Sequence, residues 1–157
     1  MQRFIFKTEK KEILKLLEYY GIDKLDYLLI STGKEKIRGY SGILSTDEII
    51  ELDKQVGIEI IGLYLLHNYK DELRLSVDAI TLLKDKIKKN ILKVNETQAK
   101  ELFKGQDIAL TKEDKENLKN ETKGFKVLEF KGDLIGTAKL TEDRIINYLP
   151  KERRRKK

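Results

Sequence analysis

The 157-residue chain contains no cysteine. That excludes disulfides, thiolate metal sites and cysteine nucleophiles. It has one histidine, His67. A Ser-His-Asp arrangement would have to use that residue, and no nucleophile elbow accompanies it. No spacing of carboxylates around His67 suggests a metal site. Gly33-Lys34 lacks the preceding glycine of a P-loop. No Gly-x-Gly-x-Gly run follows an apolar strand, so a nucleotide or S-adenosylmethionine site is not expected. Carboxylates are plentiful, but nothing singles out a pair for acid–base work. The chain is therefore expected to be non-catalytic, with no cofactor and no metal. No apolar run approaches the ~20 residues of a membrane helix. The stretch from Met1 to Lys7 is too short for a signal peptide, and acids follow it at once. A cytoplasmic setting is the expectation.

What is present is charge. The chain has 33 basic and 27 acidic residues, a net of +6. Six of the basic residues and one acid lie in the tail Lys151–Lys157, so residues 1–150 are close to neutral. The alkaline pI of about 9.3 belongs mainly to that tail. Any basic face elsewhere must come from local clusters. Abundant Lys, Glu and Ile fit a heat-tolerant, archaeal-type source.

In chain order, Arg3-Phe4-Ile5-Phe6-Lys7 reads as a short strand. Thr8 reads as an N-cap, and Ile13, Leu16, Leu17 and Tyr20 repeat at helical spacing up to Gly21. Tyr27–Ile30 and Lys36–Leu44 read as a hairpin across a turn at Ser31-Thr32-Gly33-Lys34. This hairpin carries Lys34, Lys36, Arg38 and Tyr40. It is either an RNA-contacting surface or an edge protected by charge. Ser45-Thr46-Asp47-Glu48 is a capping box. It opens a helix whose buried stripe is expected to be Ile49, Leu52 and Val56. Ile58–Leu66 and Leu73–Ala79 read as paired strands, and a short helix with Ile80, Leu83 and Ile87 on one face follows. The basic run Lys84–Lys89 marks the expected boundary, as a solvated linker or as the lining of a channel.

Ile91–Val94 opens the second half as a strand. Asn95, with Gln98 three residues on, caps a helix that buries Ala99, Leu102 and Phe103 and stops at Gly105. Residues 111–123 are dense in charge and read as a mobile loop or frayed helix. Gly124–Lys139 is a β-hairpin pattern with a three-residue loop at Lys131-Gly132-Asp133. Gly136 inside the returning strand marks a bulge or a close backbone approach. A closing strand follows Arg144.

Helix-end Leu102-Phe103-Lys104-Gly105, the hairpin and Ile146-Asn147-Tyr148-Leu149-Pro150-Lys151-Glu152-Arg153 together resemble a PUA domain. More narrowly, they are similar to the C-terminal RNA-binding domain of the Sun-type (RsmF-type) rRNA cytosine methyltransferases. The order of elements also resembles the stand-alone pre-PUA plus PUA proteins of ribosome biogenesis. The resemblance runs from about Gly62 onward. In the methyltransferase branch one segment ends on a basic residue, an aromatic, a proline and a serine. Arg74 and Ser76 supply its ends here, and the aromatic and proline are absent.

The resemblance implies an α+β protein. An N-terminal pre-PUA-like domain, residues 1–88, would precede a PUA-like pseudo-β-barrel, residues 89–150, and the basic tail 151–157. It implies a monomer that binds rRNA or tRNA in ribosome biogenesis or RNA modification. The alternative is an interaction module that docks on an rRNA methyltransferase or assembly factor. In the resembling domains RNA lies beside the first helix and the closing strand. That points to Lys104, Gly105 and Gln106, to Lys139, Arg144 and Asn147, and to Lys151 and Arg153. The tail Arg153–Lys157 would either add non-specific attraction or serve as a solubilising end.

Overall fold

A computed structural model describes residues 2–4 and 7–155. Ile5 and Phe6 of the expected first strand, and Lys156 and Lys157 of the tail, lie outside the described residues. The fold is α+β, with two five-stranded sheets.

The first sheet is an antiparallel meander, β1 (Gln2–Phe4), β2 (Leu28–Thr32), β3 (Lys36–Tyr40), β4 (Leu63–Tyr69) and β5 (Glu72–Leu75), in that spatial order. Helix α1 (Lys7–Leu17) packs on it through Ile13 and Leu17. It starts at Lys7, so Thr8 lies inside the helix and is not its N-cap. A 3-10 turn extends it to Tyr20, and Gly21, at φ +82°, ends it. Tyr20 is buried and its hydroxyl donates to the Leu73 carbonyl at 2.5 Å. Burial pushes that phenol's pKa up.

Helix α2 (Thr46–Val56) has the expected capping box: the Ser45 hydroxyl accepts from the Glu48 amide, and the Glu48 carboxylate accepts from the Ser45 amide. Its expected buried stripe is not there. Only Ile49 is buried, while Leu52 is 39% and Val56 67% exposed. The helix lies outside both core clusters, so it has nothing to bury a full stripe against. The strand expected from Ile58 starts only at Leu63. Gly62 explains the delay. It sits at φ +72°, and a Cβ there would run into the Gly39 carbonyl, so the chain enters the sheet only after this close approach. The second expected strand is cut short by Ser76, which caps α3 (Val77–Leu83) by accepting from the Ala79 amide at 3.0 Å. The basic run beyond α3 is pinned in place: Ile87 is buried, and the Lys88 and Lys89 amides both donate to the Tyr20 carbonyl.

The second sheet has the order β6 (Ile91–Lys93), β8 (Gly124–Phe130), β9 (Asp133–Leu140), β10 (Arg144–Asn147) and β7 (Ile108–Ala109). β6 runs parallel to β8; the other pairs are antiparallel. All five strands and α4 (Glu96–Phe103) feed one core around Leu92, Leu102, Leu128, Ala138, Leu140 and Ile145. The sheet is wrapped on a single core, and its edges β6 and β7 are not bonded to each other.

The β8–β9 loop has two residues, not three. Phe130 pairs with Asp133, and Lys131 and Gly132 take φ of +50° and +88°, as a type I′ turn requires. The register shifts beside Gly136, where Ile135 is the extra residue. A Cβ at Gly136 would run into Leu149, so this glycine marks both a bulge and a close approach. Residues 111–123 are more ordered than their charge suggests. Helix α5 (Lys112–Asn117) carries its own capping box, Thr111 with Asp114.

The two sheets meet through β8. Its alternate residues Phe125 and Val127 belong to the first core, and Leu128 belongs to the second, as the two-residue period of a strand allows. Thr137 of β9 donates to the Leu75 carbonyl at 2.9 Å, across the joint.

Candidate nucleic-acid interface

The C-terminal end of α4 is tied to the end of the chain. Lys104 is the C-cap, and Gly105 turns the backbone at φ +84°. The exposed α4 carbonyls need partners, and Asn147 supplies two. Its amide nitrogen donates to the Leu102 and Gln106 carbonyls at 2.8 and 3.1 Å. Its carbonyl accepts from the Leu149 amide, and its backbone amide donates to Asp107 at 2.9 Å. The Arg155 amide donates to the Phe103 carbonyl at 2.7 Å. Arg154 Nε donates to Leu149, and its side chain covers Gly105 so closely that a Cβ there would lie 2.9 Å from it. Lys104, Lys151, Arg153 and Arg155 are exposed around this knot. Lys104 pairs with Glu101 at 2.8 Å. Lys151, Arg153 and Arg155 have no ion pair among the described residues.

A second cluster occupies the joint between the sheets. A cavity of about 330 Å³ is lined by Tyr64, Arg74, Asp78, Tyr148, Glu152 and Arg153, among others. The Arg74 guanidinium sits 4.9 Å from the centre of the Tyr148 ring, within cation–π range. Behind it runs a chain of polar groups. Arg74 Nη2 reaches the Tyr64 hydroxyl at 3.5 Å, Tyr64 meets His67 Nδ1 at 3.2 Å, and His67 Nε2 lies 3.1 Å from Glu35. With the imidazole neutral, Nδ1 accepts from the Tyr64 hydroxyl and Nε2 donates to Glu35. Burial, then the nearby Arg74, lower the His67 pKa, while Glu35 opposes them. Burial raises that of Tyr64. A file of rings crosses the joint: His67 stacks on Tyr69 at 4.2 Å, Tyr69 on Phe125 at 5.3 Å, and Phe125 meets Tyr148 edge-on at 5.3 Å.

Residues 89–155 match the family model of the methyltransferase RsmF PUA domain. Residues 89–155 form a PUA domain. A solved structure, a conserved PUA domain protein from Thermoplasma acidophilum, is similar over 94% of this chain and 93% of its own length. The TM-score is 0.55 and the identity 20%, a likeness of fold that takes in the first sheet as well. No curated protein matches the sequence.

A PUA domain is an RNA-binding module, and the residues expected to serve it here stand in four places. Lys104, Gly105, Gln106, Asn147, Lys151 and Arg153 come together around the end of α4. Within that group Asn147 spends its side chain on backbone partners, so its role there is to hold the knot. Lys139 lies apart, at the joint, paired with Glu72 at 2.9 Å and set over Phe125. Arg144 is exposed at the far end of β10, opposite Ala109. The remaining three belong to the first sheet. Lys34 is exposed in the β2–β3 turn. Arg38 donates to the Ile61 and Gly62 carbonyls, and the Tyr40 hydroxyl accepts from the Leu44 amide. Arg74, Tyr64 and Tyr148 were not among the expected site residues. Arg74 and Tyr148 are 74 positions apart, and no local pattern links them. No group of three or more His, Asp or Glu among the described residues could hold a metal ion. No helix among them is long and apolar enough to cross a membrane.

Proposed function

We propose that the protein binds structured rRNA or tRNA, without catalysis of its own, in ribosome biogenesis or RNA modification. The observation that carries this reading is the match of residues 89–155 to an RsmF-type PUA domain. The cluster of exposed cations where α4 meets the chain end supports it. Lys104, Lys151, Arg153 and Arg155 neutralise phosphates, and Gly105 lets the Arg154 side chain close over the turn that holds them. Binding is then salt-dependent and weakly sequence-specific.

Filter binding of tRNA and rRNA across a salt series tests this. The double variant Lys104→Gln/Lys151→Gln binds more weakly, and its salt slope is shallower by about one for each lysine. An unchanged slope would overturn the assignment. Point changes suit this test better than truncation at Pro150. Truncation also removes Arg154 and Arg155, which hold Leu149 and Phe103.

A second reading, docking on an rRNA methyltransferase or assembly factor, is favoured by α2. Leu52 and Val56 are exposed on it, and Ile60 and Leu63 just after it, in a stretch where Asp47, Glu48, Glu51, Asp53 and Glu59 outnumber Lys54. That face repels RNA and suits a protein.

A further inference from the structure

The cleft between the sheets has a more specific chemistry than the cation cluster at α4. We propose that it takes up one unstacked nucleobase of the bound RNA, with preference for bases that carry an exocyclic amino group. This inference rests on the RNA-binding reading of the PUA domain and adds a site to it.

Four observations carry it. The first is size. The cavity, about 330 Å³, is at the small end of the roughly 300–1,000 Å³ usual for ligand pockets, which suits one nucleotide and not a duplex. The second is charge balance. Arg74 and Arg153 face Asp78 and Glu152 in the same lining. A bare phosphate calls for net positive charge, and these two carboxylates would repel it. A base edge presents donors and acceptors side by side. Guanidinium groups donate to ring nitrogens and carbonyls, and carboxylates accept from exocyclic amines. The third is the stacking surface. Tyr148 lies beside Arg74 at 4.9 Å and meets Phe125 at 5.3 Å with the rings 76° apart, and Pro150 continues the wall. Single-stranded RNA is read by splaying bases onto such aromatic and guanidinium planes. The fourth is an unused donor. Arg74 Nε is shut off from solvent and has no hydrogen-bond partner among the described residues, while Arg74 Nη2 is engaged by Tyr64. A buried donor without an acceptor is costly, and a ligand atom would satisfy it.

The cleft is also continuous with the α4 cluster. Pro150, Glu152 and Arg153 line it, and the next residues, Arg154 and Arg155, close on Gly105 and Phe103. A strand held by phosphate contacts at α4 can therefore run on into the cleft along residues 150–155.

The test uses the full chain and fluorescence anisotropy at fixed salt. The probes are short single-stranded RNAs of equal length: all-adenine, all-cytosine, all-uracil and a base-free ribose-phosphate chain. The wild type binds the adenine and cytosine strands about tenfold tighter than the base-free chain, the scale of one stacked base, with uracil in between. Tyr148→Leu removes most of that advantage. Asp78→Asn, at an exposed side chain that can change without disturbing the core, narrows the gap between adenine and uracil. Equal wild-type affinity for all four probes would overturn the cleft alone. So would variants that weaken every probe alike, or a Tyr148→Leu or Asp78→Asn chain that keeps the wild-type ranking. Failure to bind any of the four while tRNA is still bound would overturn the cleft alone, and failure to bind tRNA as well would overturn the RNA reading together with it.

Discussion

Helices α2 and α4 start in the same way and end up in different places. Both open on a complete capping box, Ser45 with Glu48 and Asn95 with Gln98. α4 buries Ala99 and Leu102 in the core of the second sheet, while α2 buries only Ile49 and joins neither core. A local signal therefore sets where a helix begins. Whether its apolar side chains are covered depends on what the rest of the chain places against them. The second sheet wraps on α4; the first sheet takes its cover from α1, α3 and β8 and leaves α2 at the margin.

The strongest way to break this comparison is to cut matching leucines. Leu102→Ala removes a side chain with no exposure, at a cost of about 3 kcal/mol in urea unfolding. Leu52→Ala, on α2, costs within about 0.5 kcal/mol. Equal losses would mean that α2 is packed as firmly as α4. Removing the caps comes next. Asn95→Ala and Ser45→Ala each cost about 1 kcal/mol of helix stability. The first lowers the global unfolding midpoint. The second speeds amide exchange in α2 and leaves the midpoint in place, because a helix outside the core opens locally. A midpoint shift of the same size for both would contradict this. The smallest effect expected is pH. The only histidine lies in the first sheet, and its folded pKa is lowered mainly by burial, then by Arg74. The unfolded chain therefore takes up a proton more readily than the native one. The contribution of His67 is full above about pH 6.5, the unfolded value. It is lost as pH falls through the lowered folded pKa. Stability measured against pH should show this loss in the wild type and a flatter curve in His67→Gln.

Much of the fold is legible because its signals are local. The caps at Ser45 and Asn95, the turn glycines and the alternation of β8 and β9 involve residues a few positions apart. The misreadings have physical causes of the same kind. Ile58–Ile61 alternates like a strand, yet Gly62 must first pass against the Gly39 backbone. The charge of residues 111–123 reads as a loop, whereas the Thr111–Asp114 box starts a helix there. The β8–β9 loop is one residue shorter than expected because Lys131 accepts a left-handed φ beside Gly132.

The candidate site divides along the same line. The α4 end is nearly contiguous with its cap, so Lys104 and Gly105 could be found there. The joint could not. Thr137 and Leu75, Lys139 and Glu72, and Arg74 and Tyr148 meet only after both sheets exist. Lys139 is the instructive case. Its place beside the closing strand suggested an RNA contact, whereas its amine lies 2.9 Å from a carboxylate of the other sheet.

The line of rings from His67 to Tyr148 has a mechanical consequence. Its first two members, His67 and Tyr69, come from the meander and its last two, Phe125 and Tyr148, from the PUA half, so any hinge between the halves must unstack Tyr69 from Phe125. The molecule then behaves as a fixed caliper. On the proposed reading, an RNA that meets the end of α4 would be held at a set distance from Arg74, and the RNA, not the protein, would have to change shape to fit both jaws.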